Sequence, residues 1–322
     1  MTKRIGGYFE LELGKRNNLH SDALALNSGR NCLKHVLLSN KFTKIHLPYY
    51  TCEVLLEPIK QCNIEFEFYH VDKQLNPLLK NAYASSEAIL YINYFGIKTK
   101  TVKALSRSRK NLIIDNSQSL FSDPIDSVDT FYSPRKFLGL PDGGFLYTSA
   151  PSSIKYEKGT SQELMSHLIK RIEHGAEEGY LHFSKNDAAI SQLELKGMST
   201  LTAQLIGNAA IEEIKQKRLN NFSILHEKLK SSNQLEIDLK EIDPPMVYPY
   251  LIKDGARLRK MLIENKIFVA TYWKEILEYL PIDSYENYLV ENLLPLPIDQ
   301  RLGVNELKYI LGFITPPKSY TA

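Results

Sequence analysis

The sequence predicts an α/β protein with a large domain built on a mostly parallel sheet, followed by a smaller C-terminal α+β domain. Between about residues 21 and 147, short apolar runs alternate with segments of helical periodicity. Strands separated by helices pair in parallel and are covered on both faces, which gives three α/β/α layers. The 322 residues, of which 43% are hydrophobic, suffice for more than one domain. We expect the large domain over residues 1–205 and the small domain over residues 206–322.

Each element of the first half follows from the period of its apolar residues. Runs of four to six apolar or alternating residues bounded by turn residues predict strands, and apolar residues three or four apart predict helices. The predicted strands cover residues 44–47, 64–69, 88–92, 111–114 and 144–147, and the predicted helices cover residues 31–38, 54–59 and 102–106.

The second half is mainly helical before it becomes mixed. A helix is predicted over residues 161–175, with Leu164, Leu168, Ile169 and Ile172 on one side, and a long helix over residues 201–229. After the turn signal Asp243-Pro244-Pro245, the elements alternate again. The predictions there are strands over residues 246–252 and 267–271 and helices over residues 255–264 and 304–313.

Composition excludes several classes of protein. A net charge of +3 with 24% charged residues argues against a nucleic-acid or membrane-surface partner. Three cysteines without CxxC spacing argue against a disulfide framework, and the eight histidines show no metal-ligand spacing, so we expect no metal. The N-terminal sequence shows no apolar signal-peptide core, and no apolar run reaches the length of a membrane span. The sequence therefore indicates a cytoplasmic protein.

Polar residues at three predicted strand or helix ends are candidates for a functional site, because ligands of parallel sheets bind outside the carboxyl ends of the strands. Asn27–Asn31 precedes a helix, where free backbone N–H groups bind phosphate, although such residues also serve as simple helix caps. Asp115 ends an apolar strand, where a carboxylate needs a cationic partner, unless it only caps a turn.

Lys136 lies between an apolar stretch and the turn Pro141-Asp142-Gly143-Gly144. A buried lysine shifts toward the neutral amine, which can form a Schiff base with an aldehyde. The alternative is a surface lysine on a loop. A phosphate cradle, an aspartate for a pyridinium nitrogen and a Schiff-base lysine are together what pyridoxal phosphate requires. The three segments taken together therefore favour a pyridoxal-phosphate site.

Several segments resemble the motifs of the DegT/DnrJ/EryC1/StrS sugar aminotransferases, which are fold-type I pyridoxal-phosphate enzymes. The lysine segment FYSPRKFLGLPDGG and the aspartate segment IIDNSQS carry the most specific similarity. Supporting similarity comes from GGYFELEL, ALNSGRNCL, IHLPYYTCEV, INYFG, MSTLTAQLIGNAAIEEIKQKR and ENLLPLPID, which together extend along nearly the whole chain.

The resemblance implies roles for particular residues. Lys136 would form the Schiff base, Asp115 would pair with the pyridinium nitrogen, and Gln118 would contact the 3-oxygen of the ring. The implied phosphate ligands are Ser28, Gly29 and Arg30, with Ser133 replacing the family serine that is Phe131 here. Cys52 stands where the family often has a ring-stacking aromatic residue, so Tyr50 or Tyr49 could stack instead. The implied substrate residues are Tyr8, Tyr94, Asn186 and Arg301. Asn186 would replace the asparagine of a family motif that is not legible in this sequence. Arg301 could instead face a neighbouring helix.

The same resemblance implies an aminotransferase that takes an amino group from glutamate and gives it to a nucleotide-linked keto sugar for glycan synthesis. It also implies a homodimer, because these enzymes share their sites across a subunit interface. Two alternatives remain: another pyridoxal-phosphate reaction, and a non-catalytic homologue that binds a nucleotide sugar. A nicotinamide-dependent dehydrogenase is disfavoured because no GxGxxG follows a strand.

Overall fold

A seven-stranded sheet forms the centre of the computed structural model, which describes residues 5–150, 154–281 and 283–315. Its strands lie in the order β1-β7-β6-β5-β4-β2-β3. The strands are β1 Leu24–Leu26, β2 Lys44–Pro48, β3 Glu65–Tyr69, β4 Glu87–Ile92, β5 Leu112–Asp115, β6 Asp129–Tyr132 and β7 Gly144–Tyr147.

The sheet is mostly parallel, as the sequence predicts. The pairs β3–β2, β2–β4, β4–β5 and β5–β6 are parallel, whereas β7 runs antiparallel to both β6 and β1. Consecutive residues of β4 and β5 are buried, so both faces of these central strands are covered. The large α/β/α part of the predicted fold is therefore confirmed.

Ten α-helices surround the two sheets of the described chain. They are α1 Gly29–Ser39, α2 Leu56–Gln61, α3 Thr99–Ser108, α4 Ser166–His174, α5 Ala176–Ser191, α6 Thr200–Asn208, α7 Ile211–Leu229, α8 Gly255–Glu264, α9 Tyr285–Asn292 and α10 Val304–Ile314. None of the helices within the described ranges is both long and apolar enough to cross a bilayer.

The C-terminal part has its own small antiparallel sheet, which pairs β8 Val247–Leu251 with β9 Leu293–Pro297. The buried guanidinium of Arg259 on α8 donates to three main-chain carbonyls around the end of α9, which fixes that helix on α8. Buried side chains of this part join those of the large sheet in one hydrophobic cluster. The boundary expected at residue 205 falls inside α6, so it stays a prediction.

The prediction of one long helix over residues 201–229 is wrong, because the chain is interrupted at Ala209 and Ala210 and forms two helices, α6 and α7. The side chain of Asn17 donates to the carbonyls of Ile206 (2.8 Å), Gly207 (3.2 Å) and Ala209 (2.8 Å). These are carbonyls that a continuing helix would need for its own hydrogen bonds, so the N-terminal segment ends α6. Helical periodicity on both sides of the break hides it in the sequence.

Two further predictions differ from the structure. Residues 267–271 are not a strand, although Ile267 and Val269 are buried and Phe268 between them is exposed, because no neighbouring strand pairs with them among the described residues. The helix over residues 161–175 exists as α4, but Ile169 and Ile172 of its apolar side are exposed. Strands β1, β6 and β9 and helices α5 and α9 were not predicted from the sequence.

Candidate active site

Lys136 and Asp115 meet at one edge of the large sheet. Asp115 is the last residue of β5, and Lys136 ends a 3₁₀ turn, Pro134–Lys136, directly after the neighbouring parallel strand β6. The Nζ of Lys136 donates to the hydroxyl of Ser117 at 3.0 Å, and the backbone N–H of Ser117 donates to the Oδ1 of Asp115 at 2.7 Å. The two residues singled out from the sequence thus share one intermediate contact, Ser117.

Burial controls the charge of Asp115, which is 4% exposed. Burial raises the pKa of this carboxyl, whereas the nearby charge of Lys136 and the hydrogen bonds from Ser117 lower it. The amine is in a different environment, because Lys136 is exposed in the single chain. Of the two alternatives that the sequence leaves open, Lys136 is thus the exposed one, and its amine reaches back from solvent to the buried Ser117.

The start of α1 lies beside Ser133. Ser28 caps this helix by accepting a hydrogen bond from the N–H of Asn31 at 3.1 Å. A methyl group built on Gly29 would lie 3.7 Å from the Cβ of Ser133, so the two residues face each other. At Gly144, the same methyl group would lie 2.6 Å from the carbonyl of Ser28, which explains why glycine occupies position 144. The N–H groups at the start of α1 and the hydroxyl of Ser133 form a cradle that fits a phosphate.

Two arginines at this cradle have unsatisfied nitrogens. Arg30 pairs loosely with Glu57, at 3.5 Å, and Arg135 pairs loosely with Asp187, at 3.4 Å. The Nη1 of Arg30 and the Nε of Arg135 are buried and have no hydrogen-bond partner within the described chain. Burial lowers the pKa of Arg135, and the positive charge of Arg30 lowers it further. Two nearby cations with orphaned donors favour an anion between them, and sequence reasoning overlooked Arg135 although it adjoins Lys136.

The charges of Lys136 and Arg30 act on the thiol of Cys52, whereas Tyr50 packs in an aromatic cluster. Burial raises the pKa of the Cys52 thiol, while the charges of Lys136 and Arg30 lower it. The ring of Tyr50 is buried against those of Trp273 and Tyr94, with centroids 4.5 and 5.7 Å away. The alternative stacking residue, Tyr49, packs instead on the rings of Phe68 and His70. Both tyrosine rings thus pack against other aromatic rings of the chain.

Gln118 and Tyr94 each form a hydrogen bond with the main chain. The Oε1 of Gln118 accepts from the N–H of Phe95 at 2.7 Å, which supports the left-handed backbone of Phe95. The hydroxyl of Tyr94 donates to the carbonyl of Tyr50 at 2.8 Å. Gln118 is thus close to Asp115 in the chain but uses its oxygen to fix the loop after β4, and Tyr94 belongs to the aromatic cluster of Tyr50.

The other expected substrate residues lie in different places. Asn186 on α5 is buried beside the lysine segment, where its Nδ2 donates to the carbonyl of Pro141 at 3.3 Å. Its Oδ1 has no partner within residues 5–150, 154–281 and 283–315. Arg301 forms two hydrogen bonds with Asp299, at 2.7 and 2.9 Å, and Tyr8 is 99% exposed. The single chain therefore brings Asn186, but neither Arg301 nor Tyr8, to the lysine segment.

A contact from the C-terminal part fixes the residue next to Lys136. The Nε2 of Gln300 donates to the carbonyl of Phe137 at 2.8 Å, and the Nε of Arg218 donates to the Oε1 of Gln300 at 3.1 Å. The guanidinium of Arg218 also lies 4.6 Å from the centroid of the Phe137 ring. Burial lowers the pKa of Arg218 to about 10. Sequence reasoning missed both residues, because they lie far from Lys136 in the chain.

Comparison with known proteins shows which fold this is. No protein-family model and no curated protein matches the sequence. Among solved structures, the sugar aminotransferase CalS13 from Micromonospora echinospora is 13% identical, with a TM-score of 0.64 over 91% of this chain and 86% of that one. A DegT DnrJ EryC1 StrS aminotransferase from Brucella abortus is 17% identical, with a TM-score of 0.63 over 91% and 84%. Spr1654 from Streptococcus pneumoniae, in its PLP form, is 14% identical, with a TM-score of 0.63 over 92% and 88%.

These similarities extend along most of both chains in each pair, although sequence identity is low. They confirm, at the level of the fold, the resemblance that the lysine and aspartate segments indicate. The chain has the fold of the DegT/DnrJ/EryC1/StrS-type sugar aminotransferases.

Proposed function

We propose that this protein is a pyridoxal-phosphate-dependent aminotransferase whose acceptor is a keto sugar. The observation that carries the proposal is the meeting of the Lys136 amine and the Asp115 carboxylate at Ser117, at the carboxyl edge of the sheet. Ligands of parallel sheets bind at this edge. The fold, which is shared with sugar aminotransferases, supports the same activity.

The residues present fit the cofactor. The start of α1 with Ser28 and Gly29, the hydroxyl of Ser133 and the orphaned donors of Arg30 and Arg135 would hold the phosphate. Cys52, on whose thiol the charges of Lys136 and Asp115 act, would line the site that holds the cofactor. The PLP form of Spr1654, which has the same fold, supports this cofactor.

The chemistry divides between the cofactor and two side chains. When bound, pyridoxal phosphate supplies an aldehyde that condenses with amines and a ring that accepts electrons. Asp115 would hold a proton on the ring nitrogen, because a buried carboxylate beside that nitrogen is stabilised by the positive charge. Lys136 would bind the aldehyde and, once released by the substrate amine, would act as the base at the substrate carbon that bears the amino group.

The finer identity of the substrates rests on resemblance. We propose glutamate as the amino donor and a nucleotide-linked sugar as the acceptor, in the synthesis of a glycan in the cytoplasm. Asn186, with its orphaned buried oxygen beside the lysine segment, is well placed to contact a substrate hydroxyl. Tyr94 would contribute through its aromatic cluster, and Tyr8 and Arg301 would reach a substrate only if they left the positions described above.

We also propose a homodimer. Helices α4 and α5 form a hairpin whose apolar side chains are exposed in the single chain, including Ile172 (82% exposed), Tyr180 and Leu181. Exposed apolar patches of this kind mark interaction surfaces. The molar mass in solution, measured by light scattering, should be twice that of the chain, and Ile172→Asp should lower it towards that of a single chain.

One experiment tests the activity. The purified protein is mixed with pyridoxal phosphate, and the absorbance of the lysine-bound cofactor is followed in the visible range before and after glutamate is added. We expect a visible band that glutamate converts to the absorbance of the amine form of the cofactor. Lys136→Ala should remove the band, whereas Lys155→Ala, at an exposed lysine away from the site, should retain it.

The possible outcomes separate the alternatives. A protein that stays colourless with added cofactor would refute the enzyme and favour a non-catalytic binder of nucleotide sugars. A band that forms on Lys136 but is unchanged by glutamate and other amino donors would favour another pyridoxal-phosphate reaction. Borohydride reduction followed by peptide mass spectrometry identifies the lysine that carries the cofactor.

A further inference from the structure

The turn after β5 places the Ser117 hydroxyl between the two principal side chains of the site. The N–H of Asn116 donates to the carbonyl of Phe131 at 2.8 Å, and the N–H of Ser119 donates to the carbonyl of Asn116 at 2.9 Å. The N–H of Ser117 itself is bonded to Asp115. These main-chain bonds fix the Cα of Ser117, and burial of the residue restricts the orientation of its hydroxyl.

The backbone of Lys136 is fixed in a similar way. Its N–H donates to the carbonyl of Ser133 at 3.2 Å, and the next residue, Phe137, is bonded through its N–H to Pro134 and through its carbonyl to Gln300. The four-carbon side chain of Lys136 is therefore the mobile part of the pair. The residue as a whole is exposed, yet its amine ends on the Ser117 hydroxyl at 3.0 Å.

We propose that Ser117 is the resting partner of Lys136, holding the amine beside Asp115 whenever that amine is not joined to cofactor. This inference rests on the proposed role of Lys136. In the cofactor-free protein, the contact keeps an otherwise exposed lysine directed into the site. During turnover, it gives the released amine a defined position from which it acts as a base. Ser117 is thus a positioning residue, and its hydroxyl undergoes no covalent change.

The strength of the contact suits this role. A single hydrogen bond contributes about 0.5–1.5 kcal/mol net, which corresponds to a roughly two- to tenfold preference for the bonded orientation. That is enough to direct a flexible side chain, and it is weak enough to be given up when the amine finds a covalent partner. The thiol of Cys52, which Lys136 also influences, is a weaker acceptor and does not replace the hydroxyl.

The test measures how easily a reagent reaches the Lys136 amine in the cofactor-free, full-length protein. Trinitrobenzenesulfonate modifies free amines, and peptide mass spectrometry follows the modification of Lys136 with time at one pH. The variants are Ser117→Ala, Ser117→Thr and Ser117→Cys. The matched control is Ser119→Ala, which removes a buried hydroxyl that contacts Ser122 rather than Lys136.

We expect Lys136 of the Ser117→Ala variant to react about two- to tenfold faster than in the unchanged protein, because the amine no longer has to leave its acceptor. Ser117→Thr should restore the slow rate, Ser117→Cys should be intermediate, and Ser119→Ala should react at the unchanged rate. A general loosening of the fold would instead speed the reaction in all four variants, and circular dichroism and thermal unfolding would register it.

Equal rates in Ser117→Ala and the unchanged protein would overturn the inference, as would an equal acceleration by Ser119→Ala. Because no cofactor is present, this result is independent of whether the protein binds pyridoxal phosphate. A normal visible band with no change in labelling would refute the role of Ser117 alone. A clear change in labelling with no visible band would refute the proposed aminotransferase and retain the contact.

Discussion

Gly144 lets β7 approach the start of α1, and replacing it by alanine tests whether this close approach maintains the phosphate cradle. The added methyl group would lie 2.6 Å from the carbonyl carbon and oxygen of Ser28 and 2.8 Å from the sulfur of Cys32. Non-bonded carbon atoms settle at about 3.5–4.0 Å, so the overlap with Ser28 is roughly 1 Å. Both Ser28 atoms are backbone, and a side-chain rotation cannot relieve the overlap.

The expected cost has two parts. Overpacking costs about 1–3 kcal/mol, and displacement of Ser28 weakens a helix cap that contributes about 1 kcal/mol. Gly144→Ala should therefore lower the free energy of unfolding by about 2–4 kcal/mol and weaken phosphate binding. Chemical denaturation followed by circular dichroism measures the first, and calorimetric titration with inorganic phosphate measures the second.

Gly312→Ala is the matched control. Gly312 lies inside α10, and apart from the adjoining residues and backbone of that helix no described atom comes within 4 Å of a methyl group built there. Alanine should instead stabilise this helix by up to about 1 kcal/mol. If Gly144→Ala proved as stable as the unchanged protein to within about 0.5 kcal/mol, and bound phosphate equally well, the close approach at Gly144 would be irrelevant to the site.

Three further changes test separate parts of the structure. Arg135→Gln should weaken phosphate binding about ten- to a hundredfold, since it removes a charge-assisted donor, and calorimetry showing unchanged affinity would rule out this ligand. Asp115→Asn should stabilise the cofactor-free protein at pH 7, because burial raises the pKa of this carboxyl and folding disfavours its ionised form. This gain in unfolding free energy should fade as the pH falls towards about 4, where the carboxyl is protonated in the unfolded chain as well. Denaturation at several pH values measures the gain, and a gain that grew as the pH fell would contradict the reasoning. Asn17→Ala should cost about 1–3 kcal/mol by removing the hydrogen bonds from its amide to the carbonyls at the end of α6, whereas Asn18→Ala should change the unfolding free energy little.

The local pattern of the sequence predicts much of the large sheet and the pair that defines the site. Asp115 ends an apolar strand and Lys136 precedes a glycine turn, and parallel pairing of β5 and β6 is enough to bring such ends together. Strand β1 has only three residues, and β6 begins with the polar residues Asp129 and Thr130, so neither contains an apolar run like the one that predicts β5.

Contacts between distant parts of the chain explain what the sequence did not predict. Asn17 ends α6 from 190 positions away, and no local pattern near Gly207 signals this. The alternating burial of Ile267 and Val269 resembles that of a strand, but a strand also needs a hydrogen-bonding neighbour, which only the fold can provide. The role of Ser117 likewise cannot be predicted without the position of the Lys136 amine. That position depends on the turn after β6 and on the orientation of the lysine side chain.

The hydrogen bond from Gln300 to the carbonyl of Phe137 joins residues 163 positions apart, and one of them adjoins the reactive lysine. A displacement of the C-terminal part would therefore pull on the peptide unit next to Lys136 before it altered any contact with a small molecule. This amide side chain, which is braced by Arg218, is one of several links between the C-terminal part and the large sheet, beside the shared hydrophobic cluster. A fragment limited to residues 1–205 would consequently lose the support behind its lysine, even if its own sheet folded.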